Sequence, residues 1–277
     1  VPADFEDAVG RHYARRDLEP VIVEALRASG LDPHNLKPDD LAAIDEFHMG
    51  GRAATAAVAE ALALQPAMYV LDIGCGLGGS ARYFAREAGC QVTGVDLTAD
   101  YVEAARALTK LVGLAGLVDS RMGSALDLPF PSESFDAASL IHVGMNLPDK
   151  DRLCAEVARV LQPGGRFAIY DVMRVGPGDI AYPTAWAASA DTSFVVEPAR
   201  YREALAAAGF TVALERNQRD LALDVFRRFR TRVAERGLPP LGLHLLMGPD
   251  TPSKMANMMT ALESGTIAPV LMVAHRR

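Results

Sequence analysis

A chain of 277 residues, half of them hydrophobic, can bury a full core, and no apolar run approaches the roughly 20 residues needed to cross a bilayer. Its 35 acidic and 28 basic side chains give a net charge of −7, and the one dense basic run, Arg227, Arg228, Arg230 and Arg232, reads as the solvated face of a helix, so nucleic acid is a poor candidate partner. Three cysteines (Cys75, Cys90, Cys154) without a CxxC pair make neither a disulfide framework nor a zinc site, and Val1 to Arg16 is charged rather than signal-like, so reduced thiols and a cytoplasmic location are expected.

Residues 1 to 66 read as a helical prefix, with Ile22, Ala25 and Leu26 on one face of a helix and Asp39 as the cap of a later one. From Tyr69 short apolar runs alternate with amphipathic stretches, the pattern of a parallel sheet with crossover helices. "YVLDIG" is a strand, Ser80 opens a helix with Ala81, Phe84, Ala85 and Ala88 on one face, and "QVTGVDL" is the next strand. A helix with Val102, Ala105, Leu108 and Val112 inward leads to a third short strand. "FDAASLIHV" and "GGRFAIYDV" follow, separated by a helix with Leu153, Val157, Val160 and Leu161 inward. The expected fold is therefore α/β, a doubly wound and mostly parallel sheet over residues 67–277. Two insertions interrupt it. Residues 173–197, rich in Pro, Gly and aromatics, are too long for an ordinary connection and read as a lid, expected to be mobile until ligand binds. Residues 218–268, between the strands "FTVALERN" and "PVLMVAH", hold a helix around Leu221 to Arg236. They cover the active-site edge or make an oligomer contact, possible in a homodimer.

In "LDIGCGLGGSARYFA", Gly74, Gly76, Gly78 and Gly79 lie between a strand and a helix, where backbone turns sharply and a ligand approaches closely. Gly74, Gly76 and Gly79 also satisfy the GxGxxG spacing of dinucleotide folds. Asp72 discriminates: a carboxylate just before the glycines repels a pyrophosphate but suits a sulfonium ligand carrying an ammonium group. Asp96, at the carboxyl end of its strand, can accept both hydroxyls of a ribose. Its bland alternative, a helix cap, is filled better by Thr98. "DSRMGSALDLPF" brings Met122, Gly123, Ser124 and Ala125 to the same edge, where they would sandwich and edge-bond an adenine.

The loop "LDIGCGLGG", the acid in "VTGVDLT", "LPFPSESFD" and "VLQPGGRFAIYD", in that order and spacing, resemble the class I S-adenosylmethionine-dependent methyltransferases from about His48 to the end. The flanks "DEFHMGGRAAT" and "MNLPDK" are similar to small-molecule enzymes of the sarcosine/dimethylglycine N-methyltransferase and ubiquinone/tocopherol C-methyltransferase kind. The resemblance implies roughly seven strands, the last antiparallel. It also implies S-adenosylmethionine held by Asp72, by the turn Gly74, Cys75, Gly76 and Gly78, and by the strand ends Asp96–Leu97, Gly123–Ser124–Ala125 and Ile141–His142. Where such enzymes carry an adenine-binding Asp, this chain has Ser124. The substitutes are its hydroxyl, the Ala125 amide or Asp127.

Because a sulfonium is already an activated electrophile, the protein's tasks are in-line positioning and exclusion of water. No metal is expected: the histidines at 12, 34, 48, 142, 244 and 275 show no ligand spacing. Acceptor contacts are expected from His142, Met145 and Asn146 after the fourth strand, from Tyr13, Phe47, His48 and Arg52 of the prefix, and from Tyr182 and Trp186 of the lid. His142 is either the base or a group that holds the loop. Met145 and Phe47 read as apolar wall, and Trp186 as a lid anchor or a face for a cation. Three functions stay open: N-methylation of a small amine, C- or O-methylation of a quinone or phenol, and a non-catalytic S-adenosylmethionine-binding module. An amine acceptor predicts a polar pocket with a carboxylate-binding Arg; a prenylated ring predicts a wide apolar one.

Overall fold

The alternation that begins at Tyr69 produces one seven-stranded sheet, seen in a computed structural model that describes residues 5–15 and 17–277. Val1 to Asp4 and Arg16, part of the charged N-terminal stretch, lie outside the described residues. The strands are β1 (Tyr69–Ile73), β2 (Gln91–Asp96), β3 (Val118–Met122), β4 (Phe135–Ile141), β5 (Leu161–Arg174), β6 (Phe210–Asn217) and β7 (Ile267–Arg276), in the order β3-β2-β1-β4-β5-β7-β6. The first five are parallel, and β7 runs antiparallel between β5 and β6. Parallel strands covered on both faces need apolar side chains on both, which is why β1 and β4 read as near-continuous apolar runs. The order reverses between β1 and β4, and that switch point opens the crevice at the carboxyl edge.

The helices α1 (Phe5–Tyr13), α2 (Leu18–Ala28), α3 (Ala42–Asp45) and α4 (Gly51–Leu62) form the prefix. Four more, α5 (Gly79–Ala88), α6 (Ala99–Leu111), α7 (Lys150–Val160) and α8 (Pro198–Ala207), lie between strands, and α9 (Arg219–Arg236), α10 (His244–Met247) and α11 (Thr251–Glu263) fill the second insertion. The prefix shares its core with the sheet layers. Ile22 and Leu26 pack with Leu77, Tyr101 and Leu108, and Ala54 and Val58 of α4 pack with Ala168, Tyr170 and Val273. A buried ion pair, Arg82 Nη2 to Asp45 Oδ1 at 2.5 Å, joins α5 to α3. Gly79 is required there, since a Cβ would stand 2.3 Å from the Asp45 carbonyl oxygen.

Three local expectations are corrected. Asp39 is not a cap: it lies inside a 3-10 turn (Pro38–Leu41), where Asp40 accepts from the Lys37 amide, and it pairs with Arg52 and Arg86. Helix α5 begins at Gly79, one residue before Ser80, after Gly78 turns left-handed at φ 78°. Thr98 is the N-cap residue of α6 but its side chain makes no cap bond, and its amide donates to the Asp96 carboxylate. No helix among the described residues is long and apolar enough to cross a membrane.

Candidate active site

At the carboxyl edge the chain turns out of β1 through Gly74 (φ 68°) and Gly76 (φ 51°), and the amides of Gly74 and Cys75 both donate to Val95 O at 2.7 and 3.1 Å. A Cβ on Gly74 would lie 2.2 Å from Val143, so only glycine lets this turn pass beneath the loop after β4. Asp96 holds the turn from the other side: Oδ2 accepts from the Gly76 amide and Oδ1 from the Thr98 amide, both at 2.9 Å. Asp72 is buried in β1 and accepts from Ser139 Oγ at 2.7 Å. Burial pushes its carboxyl up to about 7 against the opposing effect of that bond.

A cavity of about 640 Å³ stands on this floor, reaching Asp72, Gly74, Cys75, Gly76, Asp96, Leu97, Gly123, Ala125 and Ile141. Three expected contacts lie elsewhere. Gly78 faces Arg82 at the entry to α5. Ser124 is not at the cavity wall: its hydroxyl donates to Glu6 Oε1 at 2.5 Å and accepts from the Leu126 amide, bracing α1 on the turn after β3. Tyr182 packs among the apolar side chains behind the lid. Asp127, with 87% of its side chain exposed, pairs with Arg152, and exposed Met122 also lies off the cavity; of the adenine substitutes, only Ala125 lines it.

The opposite wall gathers distant segments. His142 leaves β4 at φ 53°, its amide donating to Tyr170 O at 2.8 Å and its ring stacked on Tyr170 at 5.5 Å and 9°. Its Nε2 is inaccessible and has no hydrogen-bond partner. Burial holds its pKa well below the usual imidazole value, with His48 acting in the same direction, so the ring is neutral. His48, edge-on to it at 5.8 Å, has Nε2 at 3.0 Å from both Glu46 Oε2 and Thr55 Oγ1. Burial alone would raise the Glu46 carboxyl, but bonds from His48 and Thr55 and the charge of Arg52 hold it below its ordinary value. Arg52 is committed there, with Nε 2.5 Å from Glu46 Oε1 and Nη1 3.3 Å from Asp39.

Asn146 joins three segments: its Oδ1 accepts from Tyr13 Oη at 3.0 Å, and its Nδ2 donates to Trp186 O at 2.8 Å. Tyr13, Phe47, Met145 and Trp186 all line the cavity, and Trp186 acts as an anchor, buried with Nε1 donating to Ser193 Oγ at 2.9 Å. The lid is tied to the loop after β4 at several points. Phe194 N–H donates to Met145 O at 2.7 Å, and buried Lys150 donates to Gly144 O, Leu147 O and Phe194 O, tying lid and loop together. Beneath them Tyr201 Oη donates to Asp171 Oδ2 at 2.5 Å. The roof comes from the second insertion, with Val225, Phe226 and Phe229 of α9, Leu246, Met255 and Met258. The second insertion was expected at the active-site edge, but Glu6, Glu46, Lys150 and the individual side chains of this roof escaped the sequence reading, since nothing local distinguishes them from solvated or core residues.

The fold is the one shared by the class I methyltransferases, and residues 71–169 match the family described as "Methyltransferase domain". Among curated relatives, "Methyltransferase GfsG" of Streptomyces halstedii is 34% identical over 176 residues, 63% of this chain and 61% of the relative. The chain thus spans less than two thirds of the curated relatives it matches. Among solved structures, the [4+2]-cyclase SpnF superposes with a TM-score of 0.68 at 24% identity, covering 97% of this chain and 94% of that one. The geranyl diphosphate C-methyltransferase from Streptomyces coelicolor A3(2), in complex with Mg2+, geranyl diphosphate and S-adenosyl-L-homocysteine, gives 0.73 at 20% identity over 100% and 99%. Likeness at this level establishes the fold alone, and the cyclase shows that the fold does not dictate the reaction.

Proposed function

We propose that the protein transfers the methyl group of S-adenosylmethionine to carbon or oxygen of a small acceptor with an apolar body. The donor supplies a methyl group on sulfonium, already activated for in-line displacement. The floor fits it chemically: buried Asp72 meets the ammonium, the Gly74–Gly76 turn lets backbone approach, and the lone pairs left on Asp96 take the ribose hydroxyls. On the other wall the chain orients the acceptor and excludes water with Tyr13, Phe47, Met145, Trp186 and the roof.

The observation that carries the choice of acceptor is His142, a cavity-lining imidazole whose Nε2 is buried behind the wall and has no hydrogen-bond partner in the protein. A hydroxyl or an acidic carbon loses a proton on methylation, and His142 can take it once its ring turns Nε2 towards the bound acceptor; an amine needs only its own lone pair. Arg52, the prefix's candidate partner for an amino-acid carboxylate, is already held by Glu46 and Asp39, which also disfavours a small zwitterionic amine.

The test is homocysteine-forming turnover with phenols and isoprenoid quinols against small amines, in the parent and in His142→Gln. Phenol or carbon methylation should fall by about 10²–10⁴ in kcat/KM in the variant, with affinity for S-adenosylhomocysteine unchanged. Turnover of amines alone, untouched by the substitution, would overturn the reading; turnover with no acceptor would favour a binding module.

A further inference from the structure

The arginine run of α9 borders the cavity's mouth. Val225, Phe226, Arg228, Phe229 and Arg232 repeat at helical spacing and line the cavity with Leu238, so one face of α9 closes the chamber. The rest of its C-terminal half is in water. Residues 225–238 hold five arginines (227, 228, 230, 232, 236) against a single acid, Glu235, in a chain of net charge −7, and all five arginines are exposed. Among the described residues only Arg228 is paired, with Asp224 at 2.7 Å. Between them Phe229 is 39% and Leu238 55% exposed, two of the few large apolar side chains on the described surface.

Clustered cations repel one another, and apolar side chains in water cost free energy, so this surface is poorly matched to bulk solvent. Both costs are relieved in the headgroup region of an anionic bilayer, where arginines meet phosphates and Phe and Leu reach the acyl boundary. The apolar rim leads into an apolar chamber, a continuity that a nucleic-acid backbone would not use. We propose that the exposed half of α9, with Leu238, docks on an anionic lipid surface, and that the acceptor enters from the bilayer between Phe229 and Leu238. The entry step rests on the apolar-acceptor reading above; the docking does not.

Sedimentation of the whole chain with phosphatidylcholine vesicles, alone or mixed with phosphatidylglycerol, tests this. The protein should pellet with the mixed vesicles, stay in solution with phosphatidylcholine alone, and be released by high salt. Arg227 and Arg230 do not line the cavity, so Arg227→Glu/Arg230→Glu should weaken vesicle binding at least about tenfold while calorimetric binding of S-adenosylhomocysteine is unchanged. Phe229→Ser should weaken vesicle binding at salt concentrations where charge is screened. The proposal is overturned by absence from the mixed vesicles, by a double variant that still pellets, by retention on heparin without vesicle binding, or by a dimer that the same double variant dissociates. Vesicle binding without turnover would support the docking while counting against methyl transfer, so the two readings fail separately.

Discussion

The cavity's floor and its opposite wall are built in different ways. Consecutive turns out of β1, β2 and β3 make the floor, where Gly74, Asp96 and Gly123 need only their own strands to reach one edge. The wall is assembled from α1, the loop after β4, the lid and α9, joined by long-range bonds such as Tyr13 to Asn146 and Asn146 to Trp186. A floor laid by backbone topology can serve one donor in many proteins. A wall of packed side chains from distant segments can change its acceptor without disturbing the sheet.

The most severe way to break this division is at the joint between prefix and floor. Arg82→Ala leaves Asp45 buried without its partner and should destabilise the protein by about 3–5 kcal/mol, read as a single shifted urea transition. A prefix that melts first, with the sheet unaffected, would make it a detachable cap. Next, Asp96→Ala removes both the proposed ribose acceptor and the carboxylate that holds the Gly76 and Thr98 amides. Affinity for S-adenosylhomocysteine should fall about ten- to hundredfold, and unchanged calorimetric affinity would reduce Asp96 to a helix-start residue.

A smaller effect concerns protons on the floor. The Asp72 carboxyl is raised to about 7 by burial, opposed by the Ser139 bond, so it is partly protonated just below neutrality. An ammonium arriving beside it favours the carboxylate, so binding of S-adenosylhomocysteine near pH 6.5 should release a fraction of a proton and strengthen as pH rises towards 8. Titrations in buffers of different ionisation enthalpy would show this, and Asp72→Asn should abolish it. The same raised pKa has a stability consequence. Asp72 binds its proton more tightly folded than unfolded, so its stabilising contribution is complete below pH 4 and is lost as pH rises through about 7. The ligand-free protein should therefore melt at progressively lower temperature over that interval, and Asp72→Asn should flatten the trend. Smallest is a contrast within the wall. Amides around Trp186 and Phe194 should resist hydrogen exchange without ligand, whereas those at 227–237 exchange quickly. The reverse order would restore a mobile lid and a rigid α9.

The sequence alone determined the sheet, its crossover helices and which strand ends meet at the cavity floor, because strand periodicity and the glycine turn are local and parallel topology brings strand ends to one edge. Asp72, Gly74, Gly76 and Asp96 were legible for that reason. Ser124 was misread since its hydroxyl is taken by Glu6, 118 residues away, a partner that no spacing announces. The state of His142, the anchoring of the lid by Asn146 and Lys150, and the half-submerged face of α9 were decided only by tertiary structure. Each depends on which distant groups share its surroundings: burial against Tyr170 and His48 keeps His142 neutral, and carbonyls from two loops converge on Lys150. Desolvation and long-range packing are properties of an environment, and a single chain's local pattern does not encode them residue by residue.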